Sequence, residues 1–396
     1  MAERRKIAAV ISTYFPASHA DVIVTKFVRG FPTDEGLLPP EVDVVSMYMD
    51  QVSDRDVGLA LARAHDIPVY ESIPGALCLG GKELAVDGVL AIGEHGDYAY
   101  NERGQQLYPR RFFVEQICGV ISTAHRPVPV FCDKHLSYSW ADASWMCDRA
   151  RELGVPFMAG SSVPLFWRDP WLEHPLGVRL DEALVISYGG IEAYGYHGFE
   201  ALQAMLERRQ GGETGIAAVQ CLEGEAVWEA GRQGRWSLPL AEAAYAVVSR
   251  GDSAPASVLQ AGEEPAVFLL EYRDGLRAAV LQLNGYAGDV RGWAYAASVG
   301  GAIQATGLHS HGEPYPHFSY MSLNIQRMFV TGRPQYPVER TLLVSGALDA
   351  LMESRFCGHA RLETPHLDVA YAAPSEPPIR PMGRRPVGAS TVPFGP

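Results

Sequence analysis

Residues 129–160, PVFCDKHLSYSWADASWMCDRARELGVPFMAG, have the pattern of a strand, a helix and a second strand. The two ends are short apolar runs with β-branched and aromatic residues, which favour strands. Between them, Ser139 or Asp142 can cap the start of a helix, and Gly154 can end it. This order predicts two parallel strands that are joined by a crossover helix.

The same alternation continues toward the N-terminus. Strand-like runs stand at KIAAVIST, VDVVSMYM and DGVLAIG, and DRDVGLALARAHDIPVY between the last two is a helix pattern that leads into another short strand. We therefore predict an α/β fold in which residues up to about 168 form a Rossmann-like, doubly wound parallel sheet.

In the second half, the pattern changes to longer alternating runs. IAAVQCLEG, AVFLLEYRDGLRAAVLQLNG and GWAYAASVGGAIQATG are typical of a mostly antiparallel sheet. One helix pattern, HGFEALQAMLERR, precedes them, and two more, FSYMSLNIQRMFVTG and VERTLLVSGALDALMESRFCG, follow them. We expect these three helices to cover one face of the sheet, which gives a C-terminal α+β domain.

The predicted division of the chain has three parts. Residues 1–168 are the Rossmann-like domain, residues 169–370 are the α+β domain for substrate binding and oligomerisation, and residues 371–396 are a Pro/Gly-rich tail. The 396 residues, of which 47% are hydrophobic, are enough to bury two cores.

Charge and cysteine content narrow the class of protein. A formal net charge of -13 without a basic run argues against a nucleic acid or an anionic membrane as partner. The six cysteines lack CxxC spacing, so neither a zinc ribbon nor a disulfide framework is indicated. The start MAERRKIAAVIS has no apolar signal region. We expect a cytoplasmic protein that binds a small molecule.

Polar side chains follow several of the predicted strands. The carboxyl ends of parallel strands open onto one edge of a sheet, so these side chains are expected to converge there. Helix capping or a solvated loop is the structural alternative for each of them. In chain order they are Ser18, His19 and Asp21, then Glu94, His95, Asp97 and Tyr98, then Asp133, Lys134, His135 and Tyr138, and finally Ser161 and Ser162.

Three segments resemble the glucose-fructose oxidoreductase / inositol dehydrogenase (Gfo/Idh/MocA) family, over roughly residues 5 to 370. Residues 129–160 are similar to that family's strand, Glu-Lys-Pro motif, helix and next strand, and Asp133, Lys134 and His135 occupy the three motif positions. RMFVTGRPQYPVERTLLVSGALDALMESRFCGHARL is similar to its C-terminal signature of two helices around a Gly-x-Pro turn.

The third segment, YGYHGFEALQAM, resembles the Gly-x-His-x-x-Asp segment that begins the family's second domain. His197 matches the histidine, and Glu200 stands where the family has aspartate. The resemblance implies an oxidoreductase for a carbohydrate or another polyhydroxylated small molecule. In that reaction Lys134 orients the reacting oxygen, His197 exchanges the proton, and Glu200 fixes the imidazole or contacts substrate hydroxyls.

The resemblance also implies NAD or NADP across the strand ends and a homo-oligomer through the C-terminal sheet. The residues predicted to bind substrate are His95, Asp97, Tyr108, Arg110, His135 and Tyr194. The residues predicted to bind the cofactor are Ser12, Tyr14, His19, Asp50 and Glu94, of which Asp50 stands where a ribose-binding carboxylate would be.

The first strand-to-helix turn departs from the family. Its phosphate grip is a Gly-x-Gly-x-x-Gly turn, but residues 13–19 here are TYFPASH, with a side chain at every position and a proline that has no N–H. We therefore expect that NAD(P), if bound, is held more weakly or in a different pose.

Two alternatives stay open. One is a nicotinamide-independent hydrolase, lyase or isomerase that uses a divalent metal such as Zn or Mn, although no zinc-motif spacing is present. The other is a non-catalytic binding protein. The candidate metal ligands are His19, Glu94, His95, Asp97, His135, Glu192 and His197.

Overall fold

A computed structural model describes residues 4–249, 255–287 and 292–383 of the chain. The strands of the first half are β1 (Arg5–Ile11), β2 (Phe31–Thr33), β3 (Gly36–Leu38), β4 (Val42–Met49), β5 (Val69–Tyr70), β6 (Gly88–Ile92), β7 (Val130–Asp133) and β8 (Phe157–Gly160). Six of them form a parallel sheet in the order β5-β4-β1-β6-β7-β8, and β2 and β3 form a separate hairpin.

Helices cover both faces of this parallel sheet. One face carries α1 (His19–Arg29) and α2 (Gly58–Ala64), and the other carries α3 (Ile73–Leu77), α4 (Arg110–Ala124) and α5 (Trp140–Glu152). The central strand β1 is buried on both sides, which explains why its sequence is a continuous apolar run. The predicted doubly wound sheet is confirmed.

The second sheet has eight strands. They are β9 (Trp167–Asp169), β10 (Leu180–Ser187), β11 (Ile216–Glu223), β12 (Glu263–Tyr272), β13 (Arg277–Asn284), β14 (Gly292–Val299), β15 (Ala302–His309) and β16 (Leu362–Glu363). Their order is β16-β11-β12-β13-β10-β14-β15-β9, and every pair except β10 with β13 is antiparallel. The predicted largely antiparallel sheet is confirmed.

Both faces of the large sheet are covered within the chain. α6 (Ala193–Leu206) and α10 (Val338–Phe356) pack on one face, and α7 (Glu225–Arg232) and α8 (Leu238–Val248) pack on the other. The expected homo-oligomer through this sheet relied on an outer face that a partner chain would bury. That reasoning needs correction, because α7 and α8 already bury the outer face.

One helix of the second half belongs to the first core. α9 (Pro316–Thr331) was expected on the antiparallel sheet, but its Tyr320, Met321 and Ile325 pack with α1, β2 and β4 beside the parallel sheet. The strand β9, near the predicted boundary at residue 168, pairs with β15 of the large sheet. The two halves therefore interlock, and the domain bounds remain a prediction.

The segment after β16 docks on the body of the protein. Asn324 donates through its side-chain amide to the carbonyl of Ile379 at 2.7 Å and accepts from the Ile379 N–H at 2.9 Å. Tyr371 pairs with Glu213 through their backbones. The predicted tail is thus attached to the body of the protein at Tyr371 and Ile379, and its residues 384–396 lie outside the described part. Within the described residues, no helix is both long and apolar enough to span a bilayer.

Candidate active site

A cavity of about 1240 Å³ lies between the carboxyl ends of the parallel strands and the large sheet. This volume is somewhat larger than the range of about 300–1,000 Å³ that is typical of small-molecule sites. Six of the twelve histidines line it, namely His19, His95, His197, His309, His311 and His317. Aromatic side chains form much of the remaining wall, among them Phe166, Tyr188, Tyr194, Tyr286, Trp293 and Phe318.

Lys134 and Glu94 form a buried ion pair beside the cavity. Lys134 Nζ donates to Glu94 Oε1 at 2.8 Å and to the carbonyl of Ala193, the first residue of α6, at 3.3 Å. Glu94 Oε2 accepts from Arg110. Burial alone would raise the pKa of Glu94, but Lys134 and Arg110 hold this pKa well below its usual value. The ionised carboxylate therefore fixes the position of the ammonium next to α6.

His197 lies in the second turn of α6 and faces the cavity. Its Nδ1 is 2.6 Å from the Oγ of Ser161, which follows β8. Burial, together with the nearby Lys134 and His19, lowers the pKa of His197 well below its usual value, so the imidazole is neutral at physiological pH. No described residue is bonded to Nε2. This nitrogen is therefore placed to exchange a proton with a bound ligand.

The sequence suggested that Glu200 contacts the imidazole of His197 directly. In the structure, Ser161 lies between the two side chains. Its Oε2 accepts from the Ser161 N–H at 2.5 Å, and its Oε1 is 2.8 Å from Thr341 Oγ1. Burial raises the pKa of Glu200 to about 7. Gly160, at φ 139°, leaves the space for this carboxyl group, which a Cβ there would enter. Glu200 thus positions Ser161, and Ser161 positions His197.

Three imidazoles from three segments meet at this wall. His19, the first residue of α1, has its Nδ1 2.6 Å from Asp133 Oδ2, and its ring centroid lies 5.3 Å from that of His95 and 6.5 Å from that of His197. His95 adopts φ 68° after β6. Burial and the neighbouring His19 lower the pKa of His95 to about 4. His19 and His95, which follow two strands of the parallel sheet, therefore lie together and beside His197 of α6.

Of the remaining predicted substrate-binding residues, only Tyr194 is among those that line the cavity. Asp97 is exposed, and its backbone N–H and carbonyl are both bonded to the side chain of Gln51. The expectation that Asp97 faces the cleft is corrected, because this loop turns outward after His95.

The others form a support layer behind the ion pair. His135 is buried, with its Nε2 3.2 Å from Arg110 Nη1 and 3.5 Å from Glu192 Oε1. The Arg110 guanidinium lies 4.7 Å from the centroid of the Tyr108 ring. Burial raises the pKa of Glu192 to about 7. Among these side chains Arg110 binds Glu94, the others surround Arg110 and His135, and none of them lines the cavity.

A metal centre is not supported by this arrangement. Among the described residues, no group of three or more His, Cys, Asp or Glu side chains is placed to hold a metal ion. The candidate ligands have other partners, because Glu94 is bound by Lys134 and Arg110, and His19 is bound to Asp133. The metal candidates identified from the sequence do not come together as one coordination site.

The turn between β1 and α1 uses its own backbone donors. The Phe15 N–H donates to Ser18 Oγ at 3.2 Å, the Ser18 N–H to the Phe15 carbonyl at 2.9 Å, and the Ala17 N–H to Asp21 Oδ2 at 2.8 Å. Pro16 has no N–H to offer. The Asp21 carboxylate thus occupies the amino end of α1, where the pyrophosphate of a dinucleotide binds in a Rossmann-like fold.

Side chains occupy other parts of the expected cofactor site. Tyr14 is fully buried in the turn. Asp50, expected to bind a ribose, accepts from Tyr48 Oη at 2.9 Å and from Tyr98 Oη at 2.7 Å. Ser12 Oγ donates to the carbonyl of Glu94. The nicotinamide dinucleotide that the fold implies therefore does not fit this turn in the usual pose.

The sequence analysis missed the wall that the second sheet contributes. Trp293 on β14, and Tyr188 and Tyr286 in the loops after β10 and β13, all line the cavity. The alternation of β14 could have placed Trp293 on the same face as its buried neighbour Tyr295. Nothing local in the sequence shows that this face meets α6 beside His197.

Comparison with known proteins gives a match in structure only. No model of a known protein family matches the chain, and neither does any curated protein sequence. GenD2 from gentamicin A biosynthesis, solved in complex with NAD, superposes with a TM-score of 0.58 at 16% identity, over 92% of this chain and 97% of that chain.

Two enzymes from Lactobacillus casei are also similar. The apo scyllo-inositol dehydrogenase has a TM-score of 0.56 at 11% identity, over 91% of this chain and 98% of its own. The myo-inositol dehydrogenase, in complex with NAD(H) and myo-inositol, has a TM-score of 0.54 at 10% identity, over 91% and 97%. The predicted resemblance to Gfo/Idh/MocA-type dehydrogenases is thus confirmed at the level of the fold.

Proposed function

We propose that this chain is an oxidoreductase that acts on a carbohydrate-like, polyhydroxylated small molecule in the histidine-lined cavity. The observation that carries the proposal is the neutral imidazole of His197, which is bonded to Ser161. It lies near the Lys134–Glu94 ion pair at the start of α6. The fold adds support, because two similar solved structures are inositol dehydrogenases by name and a third, GenD2, was solved in complex with NAD. A fold alone does not determine a reaction, so the side chains carry the argument.

The proton side of such a reaction follows from His197. When its Nδ1–H donates to Ser161 Oγ, Nε2 presents a lone pair to the cavity. A neutral imidazole there can accept the proton of a substrate hydroxyl as the carbon is oxidised, and can return it in the reverse direction. Lys134 and His19 disfavour the imidazolium, which promotes onward release of that proton.

The walls suit a polyol ring. The rings of Tyr194 and Trp293 are nearly parallel, with an interplanar angle of 12° and centroids 6.5 Å apart. Aromatic faces of this kind pack against the C–H faces of sugar-like rings, while imidazoles and tyrosine hydroxyls offer hydrogen bonds to hydroxyl groups. A ligand with both an apolar face and many hydroxyls matches this wall.

The cofactor proposed for the redox step is NAD or NADP, because similar solved structures contain NAD or NAD(H). Asp21 and the side chains of the first turn occupy the usual site of the dinucleotide.

The filled turn also favours a second candidate function. In a redox-neutral reaction on the same class of substrate, such as an isomerisation or a dehydration, His197 would move a proton without any hydride transfer. Such a reaction needs no dinucleotide and is compatible with the occupied amino end of α1.

The test is product analysis on a panel of inositols, hexoses and their keto derivatives, each with and without NAD and NADP. We expect mass spectrometry to show loss of two hydrogen atoms from at least one polyol, and loss of this activity in His197→Asn. That variant keeps an amide near Nδ1 but removes Nε2. The exposed His125, at φ 49°, provides the matched control His125→Asn, which should remain fully active.

Two results would contradict the oxidoreductase proposal. A His197-dependent product of unchanged mass, or one that has lost water, would establish the redox-neutral function. Full redox activity in His197→Asn would remove His197 from the reaction.

A further inference from the structure

A second, much smaller cavity lies beneath the C-terminal segment, outside the site described above. Its volume of about 20 Å³ is enough for one water-sized particle. Four arginines and two glutamates contribute to its wall, together with apolar groups that include three prolines. The charged residues are Arg168, Arg208, Arg340, Arg380, Glu173 and Glu207.

The charges around this cavity do not balance. Glu207 is fully used by Arg340, whose Nε donates at 2.7 Å and whose Nη2 donates at 2.5 Å to its two oxygens. Glu173 alone faces three guanidinium groups. Its oxygens contact Arg168 Nη1 at 2.7 Å, Arg208 Nε at 3.2 Å and Arg380 Nη2. Within the described part of the chain, two positive charges are therefore left over.

Two of the arginines are also short of hydrogen-bond acceptors. Arg168 is 5% exposed and Arg380 is 6% exposed, yet Arg168 Nε and Arg380 Nη1 are buried without a partner among the described residues. Burying an uncompensated charge and an unbonded donor is costly. Burial, followed by repulsion from Arg208 and Arg340, lowers the pKa of Arg168 to about 9. Burial and Arg168 lower the pKa of Arg380 to about 8.

We propose that this cavity binds one small monovalent anion of the size of chloride between Arg168 and Arg380. A water molecule could accept the two free N–H groups but would leave the excess charge. A tetrahedral oxyanion such as sulfate or phosphate would supply charge, but it is larger than the one water-sized particle that about 20 Å³ admits. A halide accepts both free N–H groups, fits the volume and compensates one of the two excess positive charges.

The bound anion would connect the C-terminal segment to the wall of the larger cavity. Arg380 belongs to the segment after β16, whereas Arg168 lies on β9 and also borders the histidine-lined cavity. The site therefore stabilises the docking of residues 374–380 on the body of the protein. This inference is independent of the proposed function.

The experiment is thermal unfolding of the full chain at constant ionic strength in sodium gluconate, sodium chloride or sodium sulfate. Chloride is expected to raise the melting temperature by about 2–4 °C over gluconate, since a ligand that binds only the folded state stabilises it. Arg380→Met removes a guanidinium but keeps an unbranched side chain, and should abolish this difference. Arg361→Met, at an exposed arginine paired with Glu271 and Glu363, should retain it.

Chloride-35 NMR gives a readout that does not depend on the stability of the variant. The wild type should broaden the chloride line beyond what Arg380→Met produces. Equal melting temperatures in chloride and gluconate would overturn the proposal, and so would a chloride effect that persists in Arg380→Met. A larger effect of sulfate than of chloride, shared by both proteins, would indicate general salt exclusion and would equally overturn it.

Discussion

Glu200 shows how a single buried carboxyl group can be assigned a protonation state from its neighbours. Thr341 Oγ1 has one proton but lies 2.9 Å from the Ala159 carbonyl and 2.8 Å from Glu200 Oε1. If Glu200 is protonated on Oε1, it donates to Thr341, and Thr341 donates to the carbonyl. Burial raises the pKa of Glu200 to about 7, which agrees with this arrangement.

A prediction on stability follows from this pKa. The folded state holds the proton of Glu200 more tightly than the unfolded chain, whose carboxyl has the ordinary value of 4.5. Its contribution to stability is therefore complete below pH 4.5 and is lost as the pH rises from 4.5 through about 7. In Glu200→Gln, the amide reproduces the neutral acid and does not titrate. The free energy of unfolding of this variant, relative to that of the wild type, is expected to rise by about 3 kcal/mol between pH 4.5 and pH 8.

Denaturant unfolding at both pH values measures this difference. Glu102→Gln, at an exposed glutamate, is the matched control and should follow the wild type at both. If Glu200→Gln also follows the wild type, Glu200 is ionised in the folded protein and the hydrogen-bond assignment at Thr341 is reversed.

At the scale of residues, the sequence predicted position better than contact. The strand-end rule placed His95 and Lys134 near one edge, and the motif around His197 placed it opposite them. The sequence could not show that Lys134 is bound to Glu94, because this contact joins side chains that follow two different strands. Nor could the sequence show that Ser161 stands between Glu200 and His197, because both bonds depend on how α6 lies relative to the residue that follows β8.

At the scale of elements, the start of α1 decides how a dinucleotide can bind. In a glycine-rich turn, free backbone N–H groups and the positive end of the helix dipole attract a pyrophosphate. Here the Ala17 N–H is bonded to Asp21, and the Asp21 carboxylate brings negative charge to the same place. The helix α1 is thus in the expected place, but its start offers fewer free N–H groups and carries a negative charge.

We predict that the wild type binds NAD and NADP weakly, and that Asp21→Ala binds both, and inorganic pyrophosphate, about tenfold more tightly. The substitution frees the Ala17 N–H and removes a negative charge that repels the pyrophosphate at the start of α1. Isothermal titration calorimetry measures both proteins. Asp54→Ala, which removes an exposed carboxylate after β4, controls for net charge and should bind as the wild type does. Submicromolar NAD binding by the wild type would refute this account of the turn.

The elements themselves differ in how far the sequence predicts them. The strands β1, β6 and β7 are recognisable because burial on both faces requires continuous apolar runs. The helix α9 is also recognisable as a helix, but its apolar stripe does not reveal which sheet it covers. Its place beside α1 and β2 depends on the chain returning from the second sheet to the first, which no local pattern encodes.

At the scale of the whole molecule, the chain leaves neither sheet bare. The residues of the large sheet alternate between two cores. Val185 and Phe268 face α6 and α10, whereas Leu184 and Leu269 face α7 and α8. A sheet with one open apolar face needs a partner chain to cover it, and this sheet has its own helices on both.

We therefore predict a monomer in solution, contrary to the oligomer that the family resemblance suggested. Size-exclusion chromatography with multi-angle light scattering should give a mass near 43.1 kDa that does not change with concentration. The double variant Leu240→Asn and Tyr245→Asp places polar groups at two buried positions of α8, so it should loosen this helix and expose the outer face of the sheet. We expect that variant to bind a hydrophobic dye and to associate. A wild type of twice the monomer mass at every concentration would show that a surface other than this covered face forms a stable interface.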